Sequence, residues 1–257
     1  RAYDNVIQAA SGLASVQAHP ATGTPELFRT LVCDKATAYT ATQAITAALF
    51  ARATGTAIGQ HIELAMLDTA IAFMWPDSAM DAVLLDDDAT RAPTIASVYN
   101  TVALADGYAA TSVVTESEFR GQCNTFGLPD LADDPRFADA NLRRTNRREL
   151  NAELKEAAAG TTVAQFAERS AQFDLPGATV STLDELPTDP QVTHNGIFIE
   201  REHPVAGQVR EPRAAARFSE TPQRVSDHAP TFGQHSDEIA SELGLDAAEL
   251  RAAGVIF

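Results

Sequence analysis

The sequence predicts a mixed fold of helices and antiparallel strands, an α/β or α+β order, on three observations. A long Ala/Thr-rich run of helical character starts at Asp34. Two β-rich runs flank Asp106-Gly107. A second pair of strand-like segments flanks residues 204–207, with amphipathic helical stretches lying between the two pairs. With 257 residues the chain can form one large domain or two modest ones, and at 45% hydrophobic residues it can bury a sizeable core.

Taken in order, "RAYDNVIQAASGLASVQ" reads as a polar loop followed by a short helix or turn, and "HPATGTPELFRT" has loop density of Pro and Gly. From Asp34 to about Thr54, Ile45, Ala48, Leu49 and Arg52 recur at i, i+3, i+4, i+7, so Ile45 and Leu49 are expected on the apolar side of a helix. Asp34 fits its N-cap and Gly55 its stop. "GQHIELAM" alternates as a strand does, and "LDTAIAFMW" reads as a second buried helix. The acidic, proline-bounded residues 76–95 read as a linker. Asp106-Gly107 between β-rich runs predicts a hairpin. "ESEFRGQCNTFG" predicts a helix ending at Gly127, and "LPDLADDPRF" a loop. "NLRRTNRRELNAELKEAAAG" and "TVAQFAERSAQF" predict two amphipathic helices. "GIFIEREHPVAGQVREP" predicts a hairpin turning near residues 204–207, and the tail a loop and two short helices.

Charge and composition exclude several functions. Nineteen basic residues against 35 acidic leave a net charge of −16, which argues against nonspecific nucleic-acid binding. No stretch is long and apolar enough to span a membrane, and the first residues carry no signal-peptide pattern. The two cysteines, Cys33 and Cys123, form no CxxC, so a reduced, cytoplasmic setting is expected. The six histidines lack metal-ligand spacing and no metal is expected. GxSxG, HExxH, P-loop and GxGxxG patterns are absent. Cys33, in an apolar step, reads as core. Arg143, Arg144, Arg147 and Arg148 read as a solvated, ion-paired face of one helix beside Glu149 and Glu153.

In order along nearly the whole chain, "AYDNVIQAASGLAS", "VCDKATAYTATQAITAALFARATGTAIGQHIELAMLDTAIAF", "ALADGYAATSVV", "LPDLADDPRF" and "APTFGQHSDEIASELGL" resemble the family III CoA-transferases, a group that also contains α-methylacyl-CoA racemases. The resemblance implies a Rossmann-like large domain whose N-terminal part precedes Arg1, together with a smaller α+β domain and an interlocked homodimer. It implies residues 1–75 as the remainder of the large domain, 76–95 as linker, 96–222 as the small domain and 223–257 as the return to the large one. Coenzyme A, as acyl-CoA, and a carboxylic acid acceptor are the implied substrates.

Asp34 matches the family's catalytic aspartate and is expected to face a cleft shared with residues 107–116. A carboxylate is ionised at neutral pH and a helix N-terminus favours its charge, so Asp34 is chemically fit to be a nucleophile. Tyr3 stands where the racemases carry a proton-shuttling histidine, and Thr115 stands where they carry a glutamate, with Glu116 one residue away. Both departures favour the transferase over a racemase, and the resemblance makes Tyr3 a hydrogen-bond donor at the site. Arg1 matches a position that contacts CoA phosphates. The formyl-CoA transferases carry a glycine-rich loop that corresponds to residues 75–94, where this chain has no glycine, so a larger acyl group than formate or oxalate is expected. A reading of another class is a non-catalytic fragment, or one half of a split enzyme.

Overall fold

The computed structural model describes residues 2–90, 94–97, 99–223 and 228–257. Two units are distinguished, residues 1–179 and 180–257.

The first unit opens with α1 (Asp4–Ala10) and α2 (Leu13–Val16), two short helices separated by Gly12. Helix α3 (Val32–Ala53) follows, then α4 (Met66–Ser78). Ile7, Leu13, Cys33, Ala70 and Met74, from all four helices, close into one core. Helix α3 stops as expected. Gly55 takes a left-handed φ of 73°, Thr56 N–H reaches back to the Ala51 carbonyl at 2.9 Å, and Gly55 N–H bonds to Arg52 at 3.2 Å. An L-residue is disfavoured at that φ.

The start of α3 differs from expectation. Leu31, not Asp34, is the N-cap residue, and Asp34 sits inside the first turn. The expected apolar side also differs: Ile45 and Leu49 are 53% and 49% exposed, and Cys33 alone among α3 residues is buried. Helix α4 confirms the second expected helix, although only Thr69, Ala70 and Met74 of it are buried. Residues 59–65 form no strand. Alternation supplies two faces, but a strand exists through ladder hydrogen bonds, and no described segment pairs with this one.

Single 3₁₀ turns at Met80–Val83 and Ile95–Ser97 lead to a three-stranded antiparallel sheet. Its first two strands, β1 (Val102–Ala103) and β2 (Tyr108–Thr111), form the hairpin expected around Asp106-Gly107. Asp106 Oδ1 also accepts from Val163 N–H at 2.7 Å, so the turn residue ties down a later helix. Helix α5 (Glu116–Thr125) begins with a reciprocal cap between Thr115 and Glu118 and ends before Gly127, as expected. The expected loop at 128–137 winds into two 3₁₀ turns, Pro129–Asp133 and Pro135–Phe137.

The arginine-rich stretch is two helices, α6 (Ala140–Thr145) and α7 (Arg147–Ala159), broken at Asn146. Asn146 Nδ2 donates to the Arg136 carbonyl at 2.8 Å, which ties the break to the preceding 3₁₀ turn. Arg143 pairs with Glu116 at 2.6 Å, while Glu149 and Glu153 both pair with Arg136. Helix α8 (Val163–Gln172) and the unforeseen β3 (Gly177–Thr179) complete the unit, β3 pairing with β2. Phe126 and Phe166 pack at 5.8 Å between ring centroids, within a core that includes Leu104, Ala109 and Leu175.

In the second unit, a 3₁₀ turn at Leu186–Thr188 precedes α9 (Pro190–Asn195), which was not expected and is capped by Asp189. Strands β4 (Phe198–His203) and β5 (Gly207–Pro212) form the second expected hairpin, in register from Phe198–Pro212 to His203–Gly207. Cross-strand pairs Arg210–Glu200 at 2.6 Å and Arg201–Glu211 at 3.1 Å reinforce it. Helices α10 (Ser236–Glu242) and α11 (Ala247–Ala252) are the two helices expected of the tail.

Candidate active site

The N-terminal turn of α3 forms one wall of a cleft of about 650 Å³, lined by Ala2, Tyr3, Asp4, Asn5 and Gln8 from the α1 region, Phe28–Leu31, and Asp34. Tyr3 and Asp34 therefore share one cavity. Arg1 lies outside the described residues. The 107–116 segment contributes nothing to the lining, so the expected second wall is not part of this cleft.

The local sequence explains why Asp34 is available. The first amides of a helix need acceptors, and Leu31 at the N-cap has no side-chain oxygen to offer. Asp4, thirty residues earlier, supplies one: its Oδ2 accepts from the Asp34 backbone N–H at 3.0 Å. Asp4 is 5% exposed, and its Oδ1 accepts from Gln8 Nε2 at 2.5 Å. Gln8, 1% exposed, also donates to the carbonyls of Phe28 and Thr30, each at 3.2 Å, and accepts from Phe28 N–H at 2.8 Å. Lys35 Nζ adds a 2.8 Å bond to Thr30 Oγ1. The capping that Asp34 was expected to perform is thus done by Asp4, and the half-buried Asp34 carboxylate accepts no hydrogen bond among the described residues.

Cys33, one residue before Asp34, is buried in the helical core as expected. Burial first, then the Asp4 and Asp34 charges, push its thiol above its ordinary range, which disfavours the thiolate needed for nucleophilic attack. Tyr3 is 65% exposed and lines the cleft. Glu116 is held by Arg143 through bonds of 2.6 and 2.8 Å, and the neighbouring Thr115 hydroxyl accepts from Glu118 N–H. The Arg143 guanidinium lowers the carboxyl pKa of Glu116, and the backbone amides of Thr115 and Val114 lower that of Glu118. Among the described residues no three His, Cys, Asp or Glu side chains converge as a metal site would require.

Residues 1–236 match the family described as CoA-transferase family III. The chain belongs to CoA-transferase family III. Within this family it is 29% identical over 261 residues to the human succinyl-CoA:glutarate CoA-transferase, covering 99% of this chain and 59% of that one. The Agrobacterium fabrum succinate–glutarate CoA-transferase is 27% identical over 245 residues, covering 94% of this chain and 60% of its own. Its similarity to a formyl-CoA:oxalate CoA-transferase of Escherichia coli O157:H7 is 26% over 139 residues, 54% of this chain and 33% of the relative. Among solved structures, a CAIB/BAIF family protein from Brucella suis superposes with a TM-score of 0.75 at 26% identity, over 94% of this chain and 62% of that one. Rv3272 from Mycobacterium tuberculosis gives 0.74 at 26% identity, over 91% and 62%. The chain spans about 60% of the length of these succinyl-CoA:glutarate and succinate–glutarate CoA-transferases.

Gln8 and Asp4 were not singled out as site residues by sequence reasoning. The available signal was an acid and an amide four residues apart at the start of a short helix, which without a partner reads as ordinary helix decoration.

Proposed function

We propose that the whole protein transfers coenzyme A from an acyl-CoA to a carboxylic acid, with Asp34 as nucleophile. The observation that carries the reading is the free Asp34 carboxylate in a cleft at a helix N-terminus whose capping is performed by Asp4. The Asp34 carboxylate attacks the thioester carbonyl of the donor, the C–S bond breaks, and a mixed anhydride and CoA thiolate result. The thiolate attacks the aspartyl carbonyl of the anhydride, giving an aspartyl-CoA thioester and releasing the donor's carboxylate. The acceptor's carboxylate then attacks that thioester and expels the thiolate. Thiolate attack on the acceptor's acyl carbon delivers the new acyl-CoA and regenerates Asp34. Each step exchanges one activated acyl bond for another, so no external energy source is required.

In this scheme the Tyr3 hydroxyl donates to a developing oxyanion or a bound carboxylate, and Arg1 contacts the CoA phosphates. The supporting fact for Tyr3 is that it lines the same cleft as Asp34. The proposed whole protein is an interlocked homodimer with a Rossmann-like large domain (residues 1–75 and 223–257 of this chain), a linker at 76–95 and a small domain at 96–222. Apolar side chains left exposed on α3 and α4, among them Tyr39, Phe50 and Phe73 at 72%, 69% and 63%, support burial against further protein.

The relatives named as succinyl-CoA:glutarate transferases make short dicarboxylic acids the first substrates to try, consistent with an acyl group larger than formate. Racemisation receives less support, because Tyr3 replaces a histidine and Glu116 is committed to Arg143. The test is incubation of the full-length enzyme in deuterated solvent, with succinyl-CoA and glutarate in one reaction and a 2-methylacyl-CoA in a second. Transfer of CoA to glutarate, lost in Asp34→Asn, is the expected result. Deuterium at the α-carbon of a 2-methylacyl-CoA, with no CoA transfer to any acid, would overturn the reading in favour of racemisation.

A further inference from the structure

Asp4 is the least expected residue at the cleft. It is a carboxylate, 5% exposed, with no arginine or lysine bonded to it among the described residues. Burial of such a group is costly unless its oxygens are satisfied. Here one oxygen takes the Asp34 amide and the other takes Gln8. Gln8 in turn is saturated: its carbonyl oxygen accepts from Phe28 N–H, and its amide reaches Asp4, Phe28 and Thr30. Three separate stretches, α1, residues 28–30 and the first turn of α3, are therefore joined by two buried side chains. The joint lands on the backbone of Asp34 itself.

We infer that Asp4 and Gln8 are positioning residues that set where the Asp34 carboxylate stands in the cleft. The inference rests on the proposed nucleophilic role of Asp34. An Asp at the third position of a helix has its χ1 and χ2 rotations measured from a backbone frame, and that frame is fixed only as well as the first turn is. First turns fray because their amides lack intrahelical acceptors. Asp4 removes that freedom at the Asp34 amide, and Gln8 keeps Asp4 from swinging away while holding residues 28–30 as the adjoining wall. The device also resolves a conflict of roles. A self-capping aspartate would direct its oxygens at its own helix amides, whereas an aspartate capped by another residue keeps both oxygens for substrate.

The test is a steady-state and single-turnover comparison on the full-length enzyme. Asp4→Ala is expected to lower kcat and the rate of covalent adduct formation by about 100-fold, the scale of a displacement near 1 Å, while KM for acyl-CoA stays within about threefold. Asp4→Asn keeps an acceptor oxygen for the Asp34 amide but sets its NH2 against the Gln8 Nε2 donor, and should recover part of that loss. Gln8→Ala should lower kcat by about tenfold with KM unchanged. A residue that only stabilises the fold would lower the melting temperature and leave the kcat of the folded enzyme alone. Folded Asp4→Ala with kcat within about threefold of the parent, or a loss carried by KM, overturns the inference. Should Asp4→Ala fail to fold, Gln8→Ala decides on the same criterion. The underlying reading fails separately: Asp34→Asn retaining full transfer removes the nucleophile, and the positioning role with it.

Discussion

A carboxylate serves as a nucleophile only if its lone pairs are not consumed by the protein that carries it. At the start of α3 the helix amides are the obvious consumer, and the chain meets their demand with Asp4 rather than with Asp34. Asp34→Glu keeps the charge but lengthens the side chain, and should lose about 100-fold in transfer rate from a misplacement of about 1 Å. Cys123 illustrates the opposite use of burial. It is fully enclosed, and burial pushes its thiol up to about 11. Because that value is raised in the folded state, its contribution is complete below the ordinary thiol value and is lost as pH rises. Stability to denaturant should therefore fall between pH 9 and about 11, and the Cys123→Ala variant should show a shallower fall across that window. Equal slopes for parent and variant would assign the loss to other groups.

At the scale of the element, packing decides against propensity at Gly121. Alanine is favoured over glycine in a helix by about 1 kcal/mol. A Cβ at Gly121 would lie 2.6 Å from the Phe173 carbonyl oxygen, a backbone atom with little freedom to move. Gly121→Ala should therefore destabilise the protein by about 1–3 kcal/mol in urea unfolding, and a stabilised variant would contradict the close α5–α8 approach. Thr115→Ala removes one half of the reciprocal cap on α5 and should cost about 1 kcal/mol by the same measurement. Elements governed by neighbours in sequence were legible: both hairpins follow from their turn residues, and the ends of α3 and α5 from Gly55 and Gly127. Elements governed by distant partners were not. The α3 cap comes from a residue thirty positions earlier, and the α6–α7 break is stabilised by a bond from Asn146 to residue 136. Residues 59–65 alternate but have no described strand to pair with, and β3 is too short to stand out before its pairing with β2 is known.

For the whole molecule, the exposed side chains of α3 and α4 set the next expectation. Helix α3 is 22 residues long yet buries only Cys33, and Tyr39, Ile45, Leu49 and Phe50 all stand open. The full-length protein should sediment as a dimer at micromolar concentration, and a monomer there would contradict the proposed assembly. The candidate site was legible to the extent of Asp34 and Tyr3, which the structure brings to one cleft, while the expected wall from 107–116 is absent from its lining. That misplacement has a physical cause: helix starts and turn residues are local signals, whereas the pairing of two loops across a cleft is not written in either.

The central claim is that Asp34 forms a covalent bond in turnover, and mass mapping of the full-length enzyme after incubation with acyl-CoA tests it most directly. The expected result is an acid-stable, hydroxylamine-sensitive adduct on the peptide containing "VCDKATAYT", absent from Asp34→Asn because a carboxamide is a far weaker nucleophile. CoA transfer proceeding at full rate in Asp34→Asn, or an adduct that maps to a different residue, would contradict it.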